Sequence, residues 1–126
     1  MRRLAVRAGC LAPLLVAGCA ALGGRDDRPT DAQVRRRQQL SQEAQAAIDR
    51  GDLAGARVVL ERLVAEAPRA AEAQHRLGRV LQAQGRLREA EAAYQKALVL
   101  EPEYVDAQVG LGEAATLLGD PEAALR

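Results

Sequence analysis

From about residue 31 onward, apolar and small side chains recur at intervals of three and four, with Arg, Glu and Gln between them. That spacing gathers the apolar set on one face of an α-helix. In GDLAGARVVLERLVAEAP, Gly51 to Pro68, the face takes residues 53, 56, 60, 63, 64 and 67. After an offset of 34 residues, GRLREAEAAYQKALVLEP, Gly85 to Pro102, repeats it at 87, 90, 94, 97 and 98, and fails at Glu101. Identity is thin, at Gly51/Gly85, Leu53/Leu87, Ala56/Ala90 and Pro68/Pro102. The pattern of leading glycine, apolar stripe and closing proline is nevertheless shared, and a fixed offset of this length marks a repeat array.

The same reading extends to both sides. Thr30 and Gln33 fit a capping box opening a first helix that runs to about Arg50, with Leu40, Ala44, Ala47 and Ile48 facing inward. Gly51 ends it, and Asp52 caps a second helix from Leu53 to about Ala67. A third lies between Pro68 and Gly85, and the Gly85 stretch is the fourth. The fifth, from about Glu103 to Leu118, repeats the third: Ala73, Gln74, Leu77 and Gly78 return as Ala107, Gln108, Leu111 and Gly112. Gly119-Asp120-Pro121 supplies the turn, cap and first-turn proline of a sixth helix. By Arg126 that helix has under two turns, which is marginal by the cost of nucleation. Leu111, Leu118 and Leu125 are therefore expected to be incompletely covered, either because the chain is a truncated piece of a longer protein or because this end docks on a partner or a second copy.

The expected fold is all-α, a solenoid of antiparallel helix pairs. It occupies residues 32–126 as units of about 37–70, 71–104 and an incomplete 105–126. Phe and Trp are absent and Tyr occurs twice, so Ala, Leu and Val must build the core. Small side chains of that kind suit closely packed helices. A net charge of +1 gives no strong field for nucleic acid or acidic substrates. The two cysteines, Cys10 and Cys19, both precede this region and carry no metal-ligand spacing.

The start of the chain reads as an address. Arg2, Arg3 and Arg7 precede a short apolar run ending in small residues, the layout of a secretory signal peptide. The run closes with Leu15-Val16-Ala17-Gly18-Cys19, which resembles the lipobox of bacterial lipoproteins. That resemblance implies a signal peptide over residues 1–18, a lipidated Cys19 and a membrane anchor of more than one acyl chain. The competing reading is ordinary signal-peptidase cleavage after Ala20 or Ala21. Residues 19–31 then form a short flexible tether containing glycines, mixed charge and Pro29. Ala20 is not the aspartate that retains many lipoproteins at the inner membrane, which implies the periplasmic face of the outer membrane. Losing Arg2, Arg3 and Arg7 leaves fifteen basic residues against seventeen acidic ones, a charge of −2 that disfavours nucleic acid. Arg35, Arg36 and Arg37 lie near the anchor, open to anionic headgroups or simply solvated.

From Arg37 onward the chain resembles the tetratricopeptide repeat, a helix–turn–helix unit. The resemblance assigns structural roles to Leu77, Gly78, Ala90, Tyr94, Ala97, Pro102 and Gly112. Gln74 and Gln108 depart from it by standing where the family often has Trp, and Leu81 where it often has Tyr. It implies a concave, peptide-holding groove lined by the first helix of each pair: Gln38, Ser41, Gln45 and Ile48, then Glu72, His75, Arg79 and Gln82, then Asp106, Val109, Glu113 and Thr116. The carboxylate-clamping members of the family use lysines and asparagines, and this face has neither. Arg79 is the best single anchor, since a guanidinium grips a carboxylate through two bonds. The competing reading of the face is an ordinary solvated surface.

No catalytic constellation emerges. His75, the sole histidine, stands alone on a polar face without cysteine partners and makes a poor metal site. Ser41, the sole serine, has no base at a recognisable spacing. Glu89 and Glu91 fall on solvated positions, and Tyr94 and Tyr104 read as packing residues. No cofactor is expected. The combined reading is a lipid-anchored adaptor or assembly factor of the bacterial envelope, of the kind that serves pili, secretion or polysaccharide export. The alternatives are a cell-wall enzyme or its accessory, and a fragment of a larger repeat protein.

Overall fold

The computed structural model describes residues 27–119. Signal peptide, Cys19, most of the tether, the sixth helix and Leu125 lie outside the described residues. Within them are five helices and no strand: α1 (Asp31–Asp49), α2 (Leu53–Glu66), α3 (Ala71–Ala83), α4 (Leu87–Leu100) and α5 (Val105–Leu117).

The repeated glycines set the punctuation. Gly51, Gly85 and Gly119, each one repeat length apart, have φ of 74°, 77° and 83°, the left-handed region that side chains with a Cβ disfavour. After α1, the Asp52 amide donates to the Ala47 carbonyl at 2.9 Å and the Gly51 amide to that of Ile48 at 2.9 Å. After α3 the pair recurs as Arg86 to Leu81 at 2.9 Å and Gly85 to Gln82 at 3.0 Å. Both are Schellman turns, which satisfy the last free carbonyls and reverse the chain. Asp52 then serves the following helix, its Oδ1 accepting from the Gly55 amide at 2.9 Å.

Each helix packs on the next, and α3 also meets α5 across α4. Antiparallel neighbours follow from connections this short. One apolar cluster joins α1, α2 and α3 through Leu40, Ala44, Leu60, Leu63 and Val80. A second gathers Leu81, Ala90, Ala93, Tyr94 and Ala114 from α3, α4 and α5. Leu77 packs against both and ties the units together. Ala97 belongs to a third cluster, with Ala71 and Ala107. Alanine is the commonest residue in all three, so the helices approach closely, and among the larger side chains each of the first two units encloses one filler completely. Those fillers are Leu60 and Tyr94, the largest fully buried side chains described, and they are 34 residues apart.

Two features differ from the sequence reading. The resemblance gives structural roles to Gly78 and Gly112 alike; Gly78 faces the Tyr94 ring, and a Cβ built there would lie 2.7 Å from Cε1. The same ring meets Gly110 on α5, at 2.6 Å from a built Cβ. Gly112, the arithmetic counterpart of Gly78, is half-buried and accepts a 2.8 Å bond from Thr116 Oγ1. The second difference concerns the arginines of α1. Arg36 Nε donates to Glu66 Oε1 at 2.7 Å, and Arg37 Nη2 to the Glu66 carbonyl at 2.8 Å. They brace the C-terminal end of α2, where positive charge is favoured, and of the three only Arg35 forms no side-chain bond among the described residues.

Candidate functional site

Helices α1, α3 and α5 line one side of the array, and their outward residues enclose three hollows. The first, of about 360 Å³, lies between α3 and α5. Its walls are His75 and Arg79 of α3, Tyr94 of α4, and Asp106, Val109, Gly110 and Glu113 of α5. Five of these were expected from the helical spacing, and the structure brings them together. A second hollow of about 250 Å³ includes Gln45, Ile48, Arg76 and Arg79. A third, of about 240 Å³, includes Gln38, Ser41, Glu72 and Arg76.

Arg76, which the sequence reading passed over, organises the α1/α3 side. Its Nη1 donates to Ser41 Oγ at 2.8 Å and its Nη2 pairs with Glu72 Oε1 at 2.7 Å. Ser41 and Glu72 are thus engaged within the domain, and Gln45 donates to Asp49 at 2.9 Å. No spacing rule singles out Arg76; it becomes visible only when α1 and α3 are laid side by side.

On the α3/α5 side the charged groups stay apart. Ion pairs among the described residues join Arg36 to Glu66, Arg57 to Glu61, Arg76 to Glu72 and Arg86 to Glu89. None of them uses Arg79, Asp106 or Glu113. The groove floor is Tyr94, 1% exposed, whose hydroxyl donates to Gln82 Oε1 at 2.8 Å. Gln82 in turn donates to Glu113 Oε2 over 3.4 Å. Burial, then the nearby Glu113 carboxylate, pushes the Tyr94 pKa up to about 12.

His75 is not the exposed polar residue that the sequence suggested. It is 9% exposed and lies between two aromatic rings. Its ring centroid is 5.9 Å from Tyr94, tilted 41°, and 5.3 Å from Tyr104, edge-on at 74°. The Tyr104 hydroxyl approaches Nδ1 at 3.4 Å. Burial, and next the Arg79 guanidinium, hold its pKa below the usual histidine value. Two tyrosines from α4 and the N-terminal edge of α5 cover it, a contact that helical periodicity within α3 does not reveal. Pro102 is exposed after α4, and its carbonyl accepts from Gln108 Nε2 at 2.9 Å. Among the described residues no three His, Cys, Asp or Glu side chains gather as metal ligands would, and no helix is long and apolar enough to cross a membrane.

Family models described as Tetratricopeptide repeat match residues 75–126 and 47–98. Between them they span the chain from residue 47 onward, and the chain belongs to the tetratricopeptide repeat family. Among solved structures it resembles the TPR2B domain of yeast Sti1 in its complex with an Hsp70 peptide, at 20% identity and a TM-score of 0.70, covering 72% of this chain and 73% of that one. It also resembles the second TPR of Spaghetti (RPAP3) bound to the HSP90 peptide SRMEEVD, at 23% identity and a TM-score of 0.67, over 76% of this chain and 91% of that one. MamA is similar at 26% identity and a TM-score of 0.67, over 71% of this chain and 52% of its own. Among curated proteins no sequence matches. These likenesses establish a shared fold.

Proposed function

We propose that this chain is a lipid-anchored adaptor of the bacterial cell envelope that holds a peptide or helix of a partner protein on its concave face. The observation that carries the reading is the α3/α5 hollow, where Arg79 is exposed and makes no ion pair or side-chain hydrogen bond with a described residue. A guanidinium held on a helix over a rigid, tyrosine-floored hollow offers a partner's carboxylate two parallel bonds. Similar folds hold peptides on the evidence of Sti1 with its Hsp70 peptide and RPAP3 with SRMEEVD. The anchor rests on Leu15 to Cys19 after an arginine-led apolar run. A lipidated Cys19 with Ala20 behind it fits the periplasmic face of the outer membrane. Photocrosslinking tests the groove: a photoreactive residue at Val109, 54% exposed in the hollow, should trap a specific envelope protein in cells. The reading fails if crosslinks are absent, or if they persist equally when Arg79 is replaced by alanine.

A further inference from the structure

A buried donor at the third hollow has no acceptor. Arg37 of α1 lines that hollow, with Leu63 and Ala67 from the end of α2 and Ala70, Ala73 and Arg76 around the start of α3. The Arg37 side chain is half-buried, and its Nη2 donates to the Glu66 carbonyl. Its Nε is buried and bonded to no described group. A buried N–H without an acceptor is destabilising, the more so on a charged group. The charge is unmatched as well: ion pairs join Arg36 to Glu66 and Arg76 to Glu72, and none among the described residues uses Arg37.

The start of α3 asks for the same thing, independently of that side chain. Its N-cap is Ala70, which offers no side-chain acceptor, whereas Asp52 caps α2 through Gly55. The first-turn amides of Ala71, Glu72 and Ala73 therefore stand at the positive end of the helix without a capping side chain. Ala71 and Ala73 are only 2% and 3% exposed, so water reaches them poorly. Arg69, in the turn before α3, is exposed and has no side-chain bond or ion pair with a described residue. Against these donors the hollow presents one carboxylate, Glu72, already paired with Arg76 at 2.7 Å.

We infer that the α1/α3 hollow seats the carboxylate of a glutamate or aspartate from a partner segment, held by Arg37 Nε and the uncapped start of α3, with the acid's methylene stem against Leu63, Ala67 and Ala73. The inference rests on the adaptor reading above and adds a second point of recognition, away from Arg79 and Val109. A helix N-terminus and a guanidinium N–H both favour an anion, and their bonds to a carboxylate are charge-assisted. The carboxylate supplies the acceptor that Arg37 lacks. A phosphate dianion suits the seat less well, because Glu72 stands beside it and much of the wall is apolar. At about 240 Å³ the hollow admits a side chain and not a helix.

NMR titration of the full chain, isotope-labelled and in detergent, tests this with three probes: acetyl-leucyl-glutamate amide, its glutamine counterpart and inorganic phosphate. The glutamate probe should shift the Arg37 Nε–H signal and the amides of Ala71, Glu72 and Ala73. The glutamine probe should bind about tenfold more weakly or worse, as loss of charge-assisted bonds implies. Arg37→Gln should weaken the glutamate probe by a similar factor, with circular dichroism checking that the variant folds; the comparison of probes on the wild-type chain decides the matter without it. Equal binding of the glutamate and glutamine probes, unmoved Arg37 and α3 signals, or phosphate bound more tightly than the glutamate probe would each overturn the seat. Shifts confined to Arg79 and Val109 would overturn it while leaving the adaptor reading intact, since that reading stands or falls on the crosslink at Val109.

Discussion

The Tyr94 ring lies against Gly78 so closely that a single added methyl group would sit 2.7 Å from Cε1. The ring has nowhere to retreat, since Gly110 touches it on α5 and its hydroxyl is bonded to Gln82. In an ordinary helix, Gly→Ala gains up to about 1 kcal/mol. Here Gly78→Ala is expected to destabilise by about 1–3 kcal/mol, the usual cost of overpacking, and Gly78→Leu should wedge the pair apart. The preceding unit has Leu60 and Ala44 at the equivalent positions. In a Tyr94→Leu background, Gly78→Ala should therefore become neutral or favourable. Urea unfolding of the four proteins checks the cycle, and a stabilised Gly78→Ala single variant would show that the ring yields.

Arg79→Ala should leave helicity and melting temperature nearly unchanged, because the side chain is exposed and unpaired within the described domain. Binding of any groove ligand bearing an acid should weaken by about tenfold. Circular dichroism melts and peptide titrations on the same samples separate the two effects.

Stability should respond to pH through His75. Burial and Arg79 depress its pKa in the fold, whereas the unfolded chain titrates near 6.5. As pH falls through that value the unfolded state takes up a proton that the native state still refuses, so stability drops until His75 protonates in the fold as well. His75→Gln should flatten that part of the profile. At the alkaline end the sign reverses: Tyr94 ionises near 10 when unfolded but at about 12 in the fold, so stability should decline as pH rises between them. Denaturant midpoints across pH, wild type against each variant, measure both limbs.

Cys19→Ser is expected to move the protein from the membrane fraction to the soluble or unprocessed pool. Intact mass of the wild-type chain should show Cys19 carrying acyl chains; an unmodified mature chain beginning at Ala21 or Leu22 would refute the anchor.

The helices were legible because each is announced twice, by its apolar stripe and by a glycine or proline at a fixed offset. Observed ends at Asp49, Glu66 and Leu117 fall one residue short of the expected Arg50, Ala67 and Leu118. Spacing also grouped Asp106, Val109 and Glu113 on one face of α5, and the repeat resemblance set that face beside Arg79 of α3. What escaped depends on a partner from another helix. Gly110 has no glycine counterpart in the preceding unit, where Arg76 stands, and only the Tyr94 ring explains it. His75 looks polar within α3 until Tyr94 and Tyr104 close over it. Repeat arithmetic transfers roles between units, and it misleads where one unit replaces leucine with tyrosine.

Because Tyr94 is at once a core residue and the floor of the α3/α5 hollow, the shape of that hollow has little freedom to change from below. Any substitution of the ring disturbs Gly78, Gly110 and Gln82 together. On the peptide-binding reading proposed above, specificity is open to change at the rim, in Arg79, Asp106, Val109 and Glu113, which are exposed. A ligand pressing on the floor, conversely, braces the contact between α3 and α5. Occupancy should be readable as a rise in melting temperature, which makes thermal shift a direct screen for partners.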